Sequence, residues 1–216
     1  MARQMVLFGG TFDPIHFGHL IVARAVAEQR GFDRVTLVPA ARTPHKQGAS
    51  ASAADRLAML RLAIEGEDLF DVSEAELQRP GASYTFDTLD AFRRADGGEV
   101  QLHWLIGSDM LADLPNWHRA AEVIALAQIV VACRPPWQER IAEILAQLSV
   151  RFGADAADRL SQGVVQTPLI AISSSEIRSR LAEGRSIRFL VPESVREYIS
   201  AHGLYAAGGE AGVEDS

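Results

Sequence analysis

An α/β fold is what this sequence predicts: a doubly wound, mostly parallel sheet with helices on both faces and a small C-terminal helical part. Three observations predict it. Short apolar runs alternate with longer segments of helical composition over most of the 216 residues. The runs are mostly apolar rather than alternating, as strands covered on both faces are. Strands separated by helices join through right-handed crossovers, which sets consecutive strands parallel. The length fits one domain, expected over residues 1–205, with 206–216 a disordered tail of Gly, Ala and acidic residues.

Met5-Val-Leu-Phe8 is the first strand, ending in the turn signal Gly9-Gly10. A helix from Gly18 to Arg30 follows and stops at Gly31. Val35–Pro39 is the second strand, and residues 40–54, with Pro, His, Lys, Gly and several Ser, form a loop. Helices are expected over Asp55–Ile64, Tyr84–Arg94, Arg119–Ala127, Glu139–Leu148 and Glu176–Ala182, and strands over Leu102–Ile106, Ile129–Ala132 and Val164–Ile172. Within Trp137 to Gly163, Ile141, Ile144, Leu145 and Leu148 are spaced as a core-facing helical stripe. Pro192 opens a last helix to about Ala201, because proline is tolerated at a first helical position.

Hydrophobic residues make up 48%, charged residues 23%, and the mean hydropathy is +0.03, values of a chain that buries one sizeable core. A net charge of −7 argues against duplex nucleic acid or a membrane surface as partner and favours small molecules. Cys133 is the only cysteine, which excludes an intramolecular disulfide and a cysteine-based zinc site and suits a cytoplasmic protein. No leader-like or membrane-spanning apolar stretch stands out. The basic residues are 20 Arg and one Lys, Lys46.

The first strand-to-helix loop, Gly9-Gly-Thr-Phe-Asp-Pro-Ile-His-Phe-Gly-His19, has neither dinucleotide-fingerprint nor P-loop spacing. His16 and His19 lie three apart at a helix start and share a face of its first turn, with the side-chain-free Gly18 between them. The helix N-terminus already favours an anion, and two imidazoles add donors for phosphate oxygens. Packing or capping explains such a pair equally well, whereas a zinc site would lack ligands. Ile172-Ser-Ser-Ser-Glu-Ile-Arg178 is a second cradle: Ser173 and Glu176 match a capping box, but further hydroxyls and Arg178 in the first turn call for an anion.

The extended first motif and I-S-S-S-E-I-R resemble those of the H-x-G-H nucleotidylyltransferases, in particular the bacterial nicotinate-nucleotide adenylyltransferases. Leu37-Val-Pro-Ala, Pro44-His-Lys46, Ser83-Tyr-Thr-Phe-Asp-Thr88, Gly107-Ser-Asp-Met, Leu114-Pro-Asn-Trp117, Arg134-Pro and Val195 to Tyr205 extend the likeness from Val6 to about Tyr205. The resemblance implies a Rossmann-like sheet and transfer of AMP from ATP to nicotinate mononucleotide, with Mg²⁺ carried on the ATP phosphates and no protein metal ligands. It implies catalytic roles for His16, His19, Lys46 and Arg178. For ATP it implies Gly9, Gly10, Thr11, Phe12, Gly18, Gly107, Asp109, Ser173, Ser174 and Ile177. For the mononucleotide it implies Asp13, His45, Tyr84, Thr85, Trp117, His118 and Arg134.

Each has a plainer alternative: Lys46 as a solvated lysine, Trp117 as core, Arg134 as a surface arginine, Asp109 as a helix cap. In a chain that otherwise uses Arg, Lys46 marks a position where a compact ammonium suits a phosphate. Many relatives have Tyr where this chain has His118. Two other functions compete. Phosphopantetheine adenylyltransferases share the first motif but are shorter and lack S-Y-T-F-D-T and L-P-N-W. A nucleotide-sensing module without turnover is disfavoured by the presence of His16, His19 and Arg178. Association into a homo-oligomer stays open.

Overall fold

The structure, a computed structural model, describes residues 3–41 and 50–206. Its centre is a six-stranded sheet: β1 Gln4–Gly10, β2 Val35–Pro39, β3 Phe70–Val72, β4 Gln101–Gly107, β5 Gln128–Cys133 and β6 Val164–Gln166. The order is β3-β2-β1-β4-β5-β6 and every pairing is parallel, so the mostly parallel sheet expected is wholly parallel among the described residues. β1 and β4 lie at the centre, where the winding reverses direction; the carboxyl ends of those two strands open the crevice in which such sheets bind ligands.

Alternation along the strands sorts the helices. Val6, Leu105, Val130 and Val165 pack with α1 (Phe17–Arg30), α2 (Ala53–Ala63), α8 (Ser174–Ala182) and α9 (Glu193–Ala201), which contribute Val26, Leu60, Ile177 and Ile199. Leu7, Trp104, Ile129 and Val131 point to the opposite face, against α3 (Thr85–Ala95), α4 (Ser108–Asp113), α5 (Ala120–Leu126), α6 (Ile141–Phe152) and α7 (Ala154–Gln162). Both faces are therefore apolar, which is why the strand sequences do not alternate. Helix α1 ends as expected, with Gly31 at φ 66 and its N–H bonded to the Ala27 carbonyl. Ile141, Ile144 and Leu148 are buried on α6 as the stripe predicts.

Several elements differ from expectation. The predicted strand Val164–Ile172 leaves the sheet after Gln166: Thr167 still donates to the Cys133 carbonyl at 2.8 Å, but Pro168 has no N–H to continue the ladder. Helix α2 begins earlier than Asp55 because the Ser52 hydroxyl accepts from the Asp55 N–H and caps it. Pro192 is the N-cap of α9 rather than its first helical residue. A 3-10 turn over Trp137–Arg140 precedes α6, where one helix from Glu139 was expected. The edge strand β3 and the helix α7 were not anticipated, and the helix expected after Asp109 is α4, which begins at Ser108. No helix among the described residues is long and apolar enough to cross a membrane.

Candidate active site

At the carboxyl ends of β1, β4 and β5 lies a cavity of about 620 Å³. Its floor is the turn after β1. Gly9 and Gly10, expected as a turn, are instead the last two residues of β1 and leave room for aromatic rings: a Cβ on Gly9 would sit 2.3 Å from the Trp104 ring, and one on Gly10 3.0 Å from the Phe12 ring.

His16 is the N-cap of α1 and His19 its third residue, and together they form a reciprocal capping box. The His19 N–H donates to His16 Nδ1 and the His16 N–H to His19 Nδ1, each at 3.3 Å. The imidazoles stack with centroids 3.7 Å apart. A ring nitrogen that accepts from a backbone N–H carries no proton, so this pattern assigns the proton of each neutral imidazole to Nε2. Burial, with the positive charge of Arg134, pulls His16 down to about 4, and burial, His16 and Arg134 hold His19 well below its usual range. Both rings are neutral at pH 7, each with one free N–H donor. Gly18 is needed for this geometry, since a Cβ would lie 2.9 Å from His16 Nδ1. Capping and cavity lining, alternatives in the sequence, are both true of this pair.

Helix α8 starts across the cavity. Ser173 caps it by accepting from the Glu176 N–H at 3.2 Å. The Ser174 hydroxyl donates to the Pro14 carbonyl at 2.9 Å, and Arg178 Nη1 donates to the Asp13 carbonyl at 2.7 Å. Arg178 Nη2 also donates to the Ser175 hydroxyl at 3.4 Å, and the Asp13 carboxylate 3.9 Å from Nη1 is a local counter-charge where the sequence called for a bound anion, with further guanidinium N–H groups left free. Ile177, expected at the ATP site, is fully buried and does not line the cavity: it faces inward from α8 and anchors the helix in the core.

Asp13 lines the cavity, but its carboxylate is committed. Oδ1 accepts from the Ala51 N–H at 3.1 Å and from the Tyr205 hydroxyl at 2.7 Å, and Oδ2 from the Ser50 N–H at 2.7 Å. That engagement argues against the mononucleotide contact expected of Asp13 and makes it the point where the chain after the first loop and the C-terminal Tyr205 meet. Arg56, 1% exposed, supplies positive charge beside it and donates to the Thr11 carbonyl at 2.8 Å.

The other end of the cavity is aromatic. Tyr84 and Thr85 at the start of α3 face Trp117 and His118, and the Tyr84 and His118 rings lie 4.5 Å apart. Trp117 is half-buried, one part against the core and another on the cavity. The buried Glu76 is also here, accepting from the Thr88 hydroxyl at 2.6 Å, its carboxyl pushed up by burial. Gly107 and Asp109 line the wall after β4; the Asp109 side chain does not cap α4 but folds back over Gly107, where a Cβ would lie 2.5 Å from Oδ1. Arg134, at the end of β5, acts on both histidines through its charge.

Of the predicted residues, Gly9, Gly10, Thr11, Phe12, Asp13, His16, Gly18, His19, Tyr84, Thr85, Gly107, Asp109, Trp117, His118, Arg134, Ser173, Ser174 and Arg178 come together in this one cavity. His45 and Lys46 lie outside the described residues. Trp104, Glu76, Arg56 and Tyr205 were missed, the last three because nothing local marks a contact made across the fold. Among the described residues no three His, Cys, Asp or Glu side chains converge on a metal-sized point.

Comparison with known proteins gives a consistent result. A model of the cytidylyltransferase-like family matches residues 7–180. A curated protein of Thermomicrobium roseum is 45% identical over 203 residues, covering 94% of this chain and 91% of its own, and one of Pseudomonas aeruginosa is 44% identical over 213 residues, covering 96% and 99%. Both are named "Probable nicotinate-nucleotide adenylyltransferase". The Plasmodium falciparum nicotinic acid mononucleotide adenylyltransferase complexed with NaAD shares the fold, with a TM-score of 0.72 at 18% identity over 94% of this chain and 97% of its own.

Proposed function

The chain belongs to the cytidylyltransferase-like family, and from that premise we propose that it acts as a nicotinate-nucleotide adenylyltransferase. It transfers AMP from MgATP to nicotinate mononucleotide, forming nicotinate adenine dinucleotide and pyrophosphate. The observation that best supports a site for this chemistry is the neutral, reciprocally capped His16–His19 pair, facing Ser174 and Arg178 across one cavity whose far end is aromatic.

An oxygen of the mononucleotide phosphate attacks the ATP α-phosphorus in line. One P–O bond forms as the bond from that phosphorus to the α,β-bridging oxygen breaks, and pyrophosphate leaves with the electron pair. The acceptor phosphate is ionised at neutral pH, so no general base is needed. No protein nucleophile is needed either. Catalysis then reduces to holding both phosphates and stabilising the charge that builds on non-bridging oxygens.

The Nε2–H of His19 serves the α-phosphate and that of His16 its neighbour along the triphosphate. Because their Nδ1 atoms are fixed by backbone N–H groups, the donors are oriented before substrate arrives. Ser174, Arg178 and the start of α8 hold the β- and γ-phosphates. Gly9, Gly10, Thr11, Gly107, Asp109 and Ser173 border the nucleoside. Arg134 holds the acceptor phosphate beside the histidines, Trp117 stacks on the pyridine ring, and backbone near Thr85 and His118 meets its carboxylate. Mg²⁺ enters as part of the substrate, which suits a cavity whose carboxylates are dispersed and, at Asp13 and Glu76, already hydrogen-bonded. We place the protein in the cytoplasm, where its single buried Cys133 stays reduced.

The test offers MgATP with nicotinate mononucleotide, its amide or phosphopantetheine and measures pyrophosphate. Fastest release with nicotinate mononucleotide is expected; no release with either pyridine mononucleotide would refute the assignment.

A further inference from the structure

The backbone between the acceptor end of the cavity and α5 breaks three local rules at one residue. Arg119 is the N-cap of α5, yet its φ and ψ are 56 and 42, a left-handed conformation that side chains other than Gly, Asn and Asp rarely adopt. Its side chain makes no cap hydrogen bond, and a cation at a helix N-terminus opposes the helix dipole. Such a residue persists only when its surroundings over-determine it, and these residues cluster at functional sites.

Two direct contacts hold Arg119, with Asp87 and Asp90 adding negative charge nearby. The guanidinium forks Glu122, with Nε donating to Oε2 at 2.8 Å and Nη2 to Oε1. Its Cζ also lies 3.5 Å from the centroid of Phe86, in the first turn of α3. Phe86 directly follows Tyr84 and Thr85, and Arg119 directly follows Trp117 and His118, so the contact ties together the two segments that form the acceptor end. Inside the cavity Tyr84 and His118 meet at 4.5 Å; outside it Arg119 and Phe86 meet. Arg119 and Glu122 are about half exposed, and ion pairs of that kind add little to stability. Global stability therefore does not account for the arrangement.

We propose that Arg119 is a positioning residue for the acceptor: its clasp on Phe86 and Glu122 fixes the spacing between the Tyr84–Thr85 and Trp117–His118 segments. The mononucleotide's pyridine ring and carboxylate enter between them. This rests on the adenylyltransferase assignment, because it presumes that the aromatic end receives a pyridine mononucleotide.

Arg119→Ala removes the clasp, and Arg119→Gly removes it while relieving the backbone conformation. Steady-state kinetics of both should show the KM for nicotinate mononucleotide raised about tenfold or more, with kcat and the KM for ATP within about twofold of wild type, the pattern of lost uniform binding. Arg119→Lys, which keeps the cation but not the planar fork, should recover part of the loss. Phe86→Leu should raise the same KM, and in the double variant with Arg119→Ala the effects should not add. An unchanged acceptor KM in both Arg119 variants, a rise of both substrates' KM in step with a lower Tm, or additivity with Phe86→Leu would overturn the proposal. Wild-type turnover with nicotinate mononucleotide tests the assignment separately, and the variant-to-wild-type ratio with whichever pyridine mononucleotide is used tests the clasp.

Discussion

Protonating His16 perturbs both the start of α1 and the site. The imidazole titrates near 4 in the fold against 6.5 when unperturbed, because it is buried, 5% exposed, and faces Arg134. A pKa depressed by folding contributes stability that is complete above the unfolded value and is lost as pH falls from 6.5 towards 4. At 1.36 kcal/mol per pH unit, lowering the pH from 7.5 to 4.5 removes roughly 2 to 3 kcal/mol through this residue. The hydrogen bonding adds a reason: Nδ1 accepts the His19 N–H, and a proton there would break the cap. His16→Asn keeps a capping acceptor and removes the titration, together with the part of the His19 depression that His16 causes, while the other groups remain common to both proteins. Urea unfolding of the two at pH 7.5 and 4.5 isolates the term. Wild type should lose about 1 M more in midpoint than the variant, for a urea m-value near 3 kcal/mol/M. Parallel losses in the two proteins would refute the claim that burial and capping hold this ring neutral.

His19→Ala should lower kcat at least about 10²-fold, the scale of losing one oriented donor to transition-state charge; unchanged turnover would leave His19 a capping role only. Gly18→Ala places a methyl 2.9 Å from His16 Nδ1, so turnover should fall and the Tm with it, and wild-type kinetics would show that the pair tolerates displacement. Tyr205→Phe removes the hydroxyl that donates to Asp13 at 2.7 Å; about 1 to 2 kcal/mol of stability should go in urea unfolding, and no change would mean that water replaces it. Lys46→Arg should reduce kcat/KM despite retained charge, and unaltered kinetics would undo the inference drawn from the 20-to-1 preference for Arg.

What the sequence made legible depended on how local the physics was. Val35–Pro39 was readable to the residue because a strand covered on both faces is nearly all apolar, here with Thr36 alone polar. β3 was not, since Phe70-Asp-Val72 is a three-residue edge strand with one charged side chain facing out. Val164–Ile172 misled through its apolar composition: Pro168 ends the ladder, and Leu169 beyond it is 60% exposed. The two cradles were readable because each is a helix start whose capping residues lie within about ten positions. Arg56, Glu76 and Tyr205 were not, because Asp13 meets Tyr205 across 192 positions. Asp13 was placed at the cavity by the motif it belongs to, but the bonds that occupy its two carboxylate oxygens were not legible.

The spacing of the histidines follows from that junction. A reciprocal cap requires acceptors at the N-cap and at the third helical residue, which fixes two side chains three positions apart. Glu at the second position would cap as well but, ionised, offers no donor, and the hydroxyl of Ser or the amide of Asn or Gln holds its donor next to the capping oxygen rather than on the far side of a ring. Imidazole has two nitrogens, one taken by the cap and the other left as a donor. The same backbone hydrogen bonds that stop α1 from fraying therefore select the tautomer and hold the rings stacked, while burial and the charge of Arg134 keep them neutral. A charged pair there would repel itself and face Arg134, so both rings stay neutral and each donates through its Nε2–H.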